Sequence, residues 1–119
     1  MDRVAIVTGG SRGLGREVAR SLAGRGYAVV VNYAHDRRDA DAAVEEILAA
    51  GGVAVAVRAD VADELDVERL FAETVEAFGG VDLVVHAAPR PRTLVDAQAE
   101  RNLRAEGAVA NATAPDERP

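Results

Sequence analysis

A chain of 119 residues in which 49% of the side chains are hydrophobic can bury one modest core, so a single domain is expected. The formal charge of -6, with arginines and carboxylates interspersed and no long basic run, argues against nucleic acid or an anionic membrane as the main partner. Cysteine is absent, which excludes disulfides and thiolate metal sites, and the first apolar run is too short for a signal peptide or a membrane span, so a cytoplasmic protein without a metal centre is expected.

That first run, "RVAIVT" (3–8), reads as a buried strand and leads into "TGGSRGLGREVAR" (8–20), whose glycines stand at 9, 10, 13 and 15. Strand, glycine-rich turn and helix together form an arrangement that binds phosphate. The helix start offers unpaired N–H groups and partial positive charge, and the missing side chains let a pyrophosphate approach. A tight turn with nothing bound is the plainer alternative, but four glycines in seven residues exceed what a turn requires. The spacing, Gly9-x-x-x-Gly13-x-Gly15, is one step different from the G-x-G-x-x-G fingerprint.

Further along, "YAVVVN" (27–32), "VAVAVR" (53–58) and "VDLVVHA" (81–87) are short, valine-rich and apolar on both faces, the pattern of strands covered by helices on both sides. Between them, Ala40, Ala43, Val44, Ile47 and Leu48 form one helical stripe, and Val67, Leu70, Phe71, Thr74, Val75 and Phe78 another. Gly24 and Gly26, Gly51 and Gly52, and Gly79 and Gly80 stand where helices end. The sequence therefore predicts an α/β fold: a doubly wound, Rossmann-like parallel sheet of four strands in the order 3-2-1-4, occupying residues 1–88. After Ala88 the pattern weakens. Residues 89–113 read as an irregular or weakly helical extension with a thin buried stripe, and "APDERP" (114–119) as a disordered tail. In this reading the fourth strand is an apolar edge, open to a complementing chain or to a second copy.

Over residues 3–88 the chain resembles the short-chain dehydrogenase/reductases, particularly the 3-oxoacyl-carrier-protein reductase branch, through "TGGSRGLG", "VVVNYAHDRRDADAAVEEILAAGG", "AVRADVAD" and "FGGVDLVVHAA". The resemblance implies a dinucleotide cofactor. Gly9, Gly13 and Gly15 would line its pyrophosphate within a loop that also carries Ser11, Arg12 and Leu14, and Thr8 would steady the turn. Asp60 and Val61 would lie beside the adenine, Tyr33 at the adenosine end, and Ala87 and Ala88 where the fourth strand meets the cofactor. Asp60 has a bland alternative, capping the helix that enters at Asp63. The second strand ends in neutral Asn32, and Arg12 with Arg37 or Arg38 could take a 2'-phosphate, which favours NADP over NAD. Asp36, about 20 residues past the loop, counts the other way.

The family's hydride chemistry uses a Tyr-x-x-x-Lys pair. All 14 basic residues here are arginine, so these 119 residues hold no such pair. Tyr27 and Tyr33 read as packing or cofactor-edge residues, and His86 as a structural residue in preference to a proton donor. The family's usual Asn-Asn-Ala-Gly is replaced by His86, Ala87, Ala88 and Pro89, and Asn102 weakly matches the family's helix-borne asparagine. The reading is therefore a truncated oxidoreductase that keeps a dinucleotide-binding half without the catalytic half. A non-enzymatic nucleotide-binding or interaction module, or an interrupted gene product without activity, is the alternative.

Overall fold

The computed structural model of the chain describes residues 2–88 and 92–112. Elements follow in the order β1 (Val4–Thr8), α1 (Gly13–Gly24), β2 (Ala28–Tyr33), α2 (Arg37–Ala49), β3 (Val53–Arg58), α3 (Glu64–Phe78), β4 (Val81–His86), α4 (Thr93–Asn102) and β5 (Leu103–Asn111). They build one parallel sheet in the order β3-β2-β1-β4-β5. The doubly wound fold and the 3-2-1-4 core of the strand order agree with the sequence expectation.

The register explains why the strands read as apolar on both faces. Ile6, Val30 and Val84 point into a cluster with Val67, Leu70 and Phe71 of α3 and Val95 and Ala99 of α4. Ala5, Val7, Val29 and Val31 point the other way, onto Ala19 and Leu22 of α1 and Ala40, Ala43 and Ile47 of α2. Each strand thus feeds two separate cores, and alternation disappears. The helix stripes are narrower than the periodicity suggested, because Leu48 and Val75 lie at their margins, 51% and 39% exposed. α3 shows full punctuation: the Asp63 carboxylate accepts from Asp66 N–H at 3.0 Å, and Gly79 N–H donates to Val75 C=O at 2.7 Å.

Two expectations are corrected here. The sheet has five strands, and β4 is interior, paired with β1 on one side and β5 on the other. The open edge expected at the fourth strand for a complementing chain or second copy is therefore absent, since β5 covers it. The segment expected to be irregular or weakly helical contains a ten-residue helix and a nine-residue strand. Its helix buries Val95 and Ala99 completely, so small residues suffice where α4 lies close to α3 and the sheet. Pro89, and the tail at 114–119 for which disorder is expected, lie outside the described residues.

Candidate functional site

All five strands run parallel, so their carboxyl ends share one side of the sheet, and a cleft of about 350 Å³ opens there. Its walls come from four loops: Gly9, Ser11 and Arg12 after β1; Asn32, Tyr33, Ala34 and His35 at the end of β2; Ala59, Asp60 and Val61 after β3; and Ala87 and Ala88 after β4. A crevice at the ends of strands that diverge to either side of a central one is where open α/β sheets take ligands.

The loop geometry follows from which positions tolerate a side chain. Gly9 has φ +64°, and a Cβ there would stand 2.8 Å from the Ala88 backbone. A Cβ on Gly15 would stand 2.1 Å from the Gly9 carbonyl oxygen. These two glycines let the turn pack against α1 and the end of β4. Gly13 is different: its φ is +59°, and a Cβ there would meet nothing within 4 Å. It faces open space, while its backbone takes a conformation that side chains disfavour. Arg12, the N-cap of α1, makes no side-chain capping bond, and the first turn contains no acidic residue. The amides opening α1 thus keep their positive end of the helix dipole uncompensated by side chains.

Thr8 sits beneath this turn, 1% exposed. Its hydroxyl donates to Val85 C=O at 3.4 Å and accepts from Ala87 N–H at 3.2 Å, tying β1 to the end of β4. Asn32 is 2% exposed. Its carboxamide oxygen accepts from Gly9 N–H at 3.4 Å, and its amide nitrogen donates to Val57 C=O at 3.3 Å and Ala59 C=O at 3.1 Å. It binds three of the four cleft loops together.

On the β3 side, Asp60 Oδ1 accepts from Ala62 N–H at 2.9 Å, closing a turn two residues long. Its own N–H donates to the Asp66 carboxylate at 2.9 Å. That backbone bond, assisted by Arg69 and Arg58, holds the Asp66 carboxyl below its ordinary value against the opposing effect of desolvation. Asp63, not Asp60, caps α3. Asp60 therefore does not cap α3 but closes the turn at Ala62, and its second carboxylate oxygen has no hydrogen-bond partner among the described residues.

The structure brings nine of the fourteen sequence-nominated residues to the cleft wall: Gly9, Ser11, Arg12, Asn32, Tyr33, Asp60, Val61, Ala87 and Ala88. Thr8, Gly13, Leu14, Gly15 and Arg37 are not in that wall. Thr8 and Gly15 lie under the turn, Gly13 and Leu14 open α1, and Arg37 begins α2, where it pairs with Asp41 at 3.6 Å. Ala34, His35 and Ala59 were missed, although Ala34 and Ala59 directly flank nominated residues and His35 lies two residues past Tyr33. Tyr27 lies under the Arg3 guanidinium, 5.0 Å from ring centroid to Cζ, in a packing role. His86 Nε2 stands 2.8 Å from Asp96 Oδ1, and Arg92 Nε donates to the same carboxylate at 2.8 Å. Burial pushes the Asp96 carboxyl up, but the hydrogen bonds from Arg92 and His86 outweigh it and hold the carboxyl below its ordinary value. Asn102 ends α4 and donates to Gln98 C=O at 2.9 Å. Since Leu103 pairs with Val81, the first residue of β4, Asn102 lies at the opposite end of the sheet from the cleft. The weak match to the family's asparagine is not supported by this placement.

A doubly wound parallel sheet with a glycine turn at its carboxyl edge defines a Rossmann-type α/β protein. The family profile described as short chain dehydrogenase matches residues 3–109, and the chain belongs to that family. A 3-oxoacyl-acyl-carrier-protein reductase of Staphylococcus aureus is 47% identical over 88 residues, covering 74% of this chain and 36% of that protein. A dehydrogenase/reductase of Sinorhizobium meliloti superposes with a TM-score of 0.87 at 36% identity, covering 92% of this chain and 52% of that one. A short chain dehydrogenase of Burkholderia cenocepacia, solved in complex with NADP, superposes with a TM-score of 0.84 at 30% identity, covering 92% and 54%. The chain thus spans about a third of the length of the curated relatives it matches and about half that of the solved ones. Among the described residues, no helix is long and apolar enough to cross a membrane.

Proposed function

We propose that this chain binds a nicotinamide dinucleotide, NADP in preference to NAD, in the cleft at the carboxyl edge of its sheet, as the cofactor-holding part of a short-chain oxidoreductase. The observation that carries the reading is the start of α1: an uncapped helix N-terminus beside Gly13, a position with open space where a Cβ would stand. A pyrophosphate fits a surface of free amides with no acidic side chain in the first helical turn. Asp60 and Val61 would take the adenine, Asp60 accepting from its exocyclic amine. Arg12 would take the 2'-phosphate, and Ala87 and Ala88 would face the nicotinamide end. Bound there, the dinucleotide supplies hydride; the chain's own residues supply position.

No Tyr-x-x-x-Lys pair occurs in these 119 residues, so proton transfer of the family's kind requires that pair from another stretch of polypeptide. Calorimetric titration tests the binding reading. NADPH is expected to bind more tightly than NADH, and Gly13→Val to abolish binding of both while far-UV circular dichroism stays unchanged. Binding of neither dinucleotide to the folded chain would rule the assignment out.

A further inference from the structure

The arginine that lines the cleft already holds an anion. Arg12 places Nη1 3.2 Å from Asp36 Oδ2 and Nε 3.9 Å from Asp39 Oδ2. Asp36 immediately precedes α2 and stands at its N-cap, yet its carboxylate makes no capping bond to that helix. The carboxylate reaches across to the β1 loop instead of turning onto its own helix. Of the neighbouring cations, Arg37 pairs with Asp41 at 3.6 Å and Arg16 and Arg20 with Glu46 at 3.2 and 3.3 Å, while Arg38 is not part of the cleft wall. Arg12 is the arginine in the cleft wall, and it comes with a carboxylate attached.

We infer that Asp36 is a built-in competitor for Arg12, setting how strongly the cleft distinguishes a 2'-phosphorylated dinucleotide from one with a free ribose diol. The inference rests on the cofactor reading of the cleft. Both partners are well exposed, at 70% for Arg12 and 48% for Asp36, so the pair is weak and open to exchange. A phosphate monoester carries more charge than a carboxylate and can meet the guanidinium fork with two oxygens, so it displaces Asp36 at a cost. A dinucleotide without that phosphate leaves the pair intact and meets no such cost. The discrimination shown by the native chain is therefore smaller than Arg12 alone would give, and Asp36 sets the difference.

Titration of NADPH and NADH into the full chain and into Asp36→Asn, Arg12→Ala and the double variant tests this. Asparagine keeps the size of the side chain and its ability to start a helix, and circular dichroism checks that each variant is folded. Asp36→Asn is expected to tighten NADPH about threefold to tenfold, the scale of releasing one exposed charge pair, and to leave NADH unchanged. With Arg12 already replaced, the same substitution is expected to change NADPH affinity by less than about twofold, since the competitor acts through the arginine. An equal gain in both backgrounds would mean simple repulsion of the phosphate and would overturn the inference. A loss of NADH affinity in Asp36→Asn would make Asp36 an acceptor for the ribose diol and would overturn it as well. If no folded variant binds either dinucleotide, the cofactor reading itself fails, and the role of Asp36 with it.

Discussion

Asn32, next to last in β2, has both polar atoms of its side chain committed inside the protein, to Gly9 N–H on one side and to Val57 and Ala59 C=O on the other. A carboxylate in its place could still accept from Gly9, but its second oxygen would face two carbonyl oxygens with no proton between them. Asn32→Asp is therefore expected to lower stability by about 1 to 3 kcal/mol, the cost of leaving buried polar groups unpaired, as read from the urea midpoint at neutral pH. A midpoint equal to that of the native chain would show the network to be dispensable. The substitution bears on what was legible in the sequence. The neutrality of Asn32 reads there as a statement about cofactor charge, whereas the structure supplies a reason internal to the fold. Gly9 and Gly15 show the same limit. Their spacing announces a turn that something approaches closely, but for these two positions the thing approached is the chain's own backbone, near Ala88 and the Gly9 carbonyl. Sequence spacing records the need for absent side chains without recording which neighbour imposes it.

The last two elements, α4 and β5, carry a clamp that the sequence did not announce. Asp82 on β4 accepts from Val4 N–H at 2.7 Å, and Arg104 at the start of β5 donates to it at 2.9 and 2.6 Å. One carboxylate thus joins the beginnings of β1, β4 and β5, next to the register shift between Val81 and Leu83 and the left-handed Glu106 at φ 70°. The hydrogen bonds from Arg104, then that from Val4 N–H, hold the Asp82 carboxyl below its ordinary value of 3.8 despite the opposing desolvation. Because the folded-state pKa lies below the unfolded one, this contribution is complete above 3.8 and is lost as the pH falls through the folded-state value. Asp82→Asn is expected to lower stability by about 1 to 3 kcal/mol at pH 7, for loss of the charge-assisted bond to Val4 N–H. The gap should close as urea titrations move into acid below 3.8. A gap that stays constant throughout the acid range below 3.8 would assign the effect to shape and remove the charge from the account. Strands β1 to β4 were legible because each is a short, valine-rich run with side chains in both cores. β5 was not, since Ala105, Gly107, Ala108 and Ala110 bring little apolar volume and the strand is half-buried or exposed throughout. Only its pairing with β4 makes it a strand, and pairing leaves no local signature in an alanine-rich segment.

At the scale of the whole molecule, the parallel sheet concentrates its loops at one end and so produces a cleft bordered by an uncapped helix start and by the turn at Asp60. On the proposed reading, that cleft holds a dinucleotide. Reduction of a carbonyl needs two further things: a proton donor aimed at the substrate oxygen, and walls that hold the substrate carbon near the hydride. General acid catalysis typically contributes about 100 to 10,000-fold, and orientation of the two reactants contributes on a comparable or larger scale. His86, the residue before Ala87 of the cleft's β4 wall, has its side chain only 9% exposed and its Nε2 turned to Asp96. Tyr33 lines the wall at the β2 end, separated from Ala87 and Ala88 by the full width of β1. Neither is arranged as a donor toward the β4 side. The 119-residue chain, supplied with NADPH and simple ketones, quinones or acetoacetyl thioesters, is therefore expected to oxidise NADPH no faster than a buffer blank, even at concentrations where titration shows the cleft to be filled. Turnover that survives repurification and disappears in His86→Ala or Tyr33→Phe would refute this. It would mean that a proton donor operates within these residues, and that holding the cofactor and moving the proton are not divided between separate stretches of polypeptide.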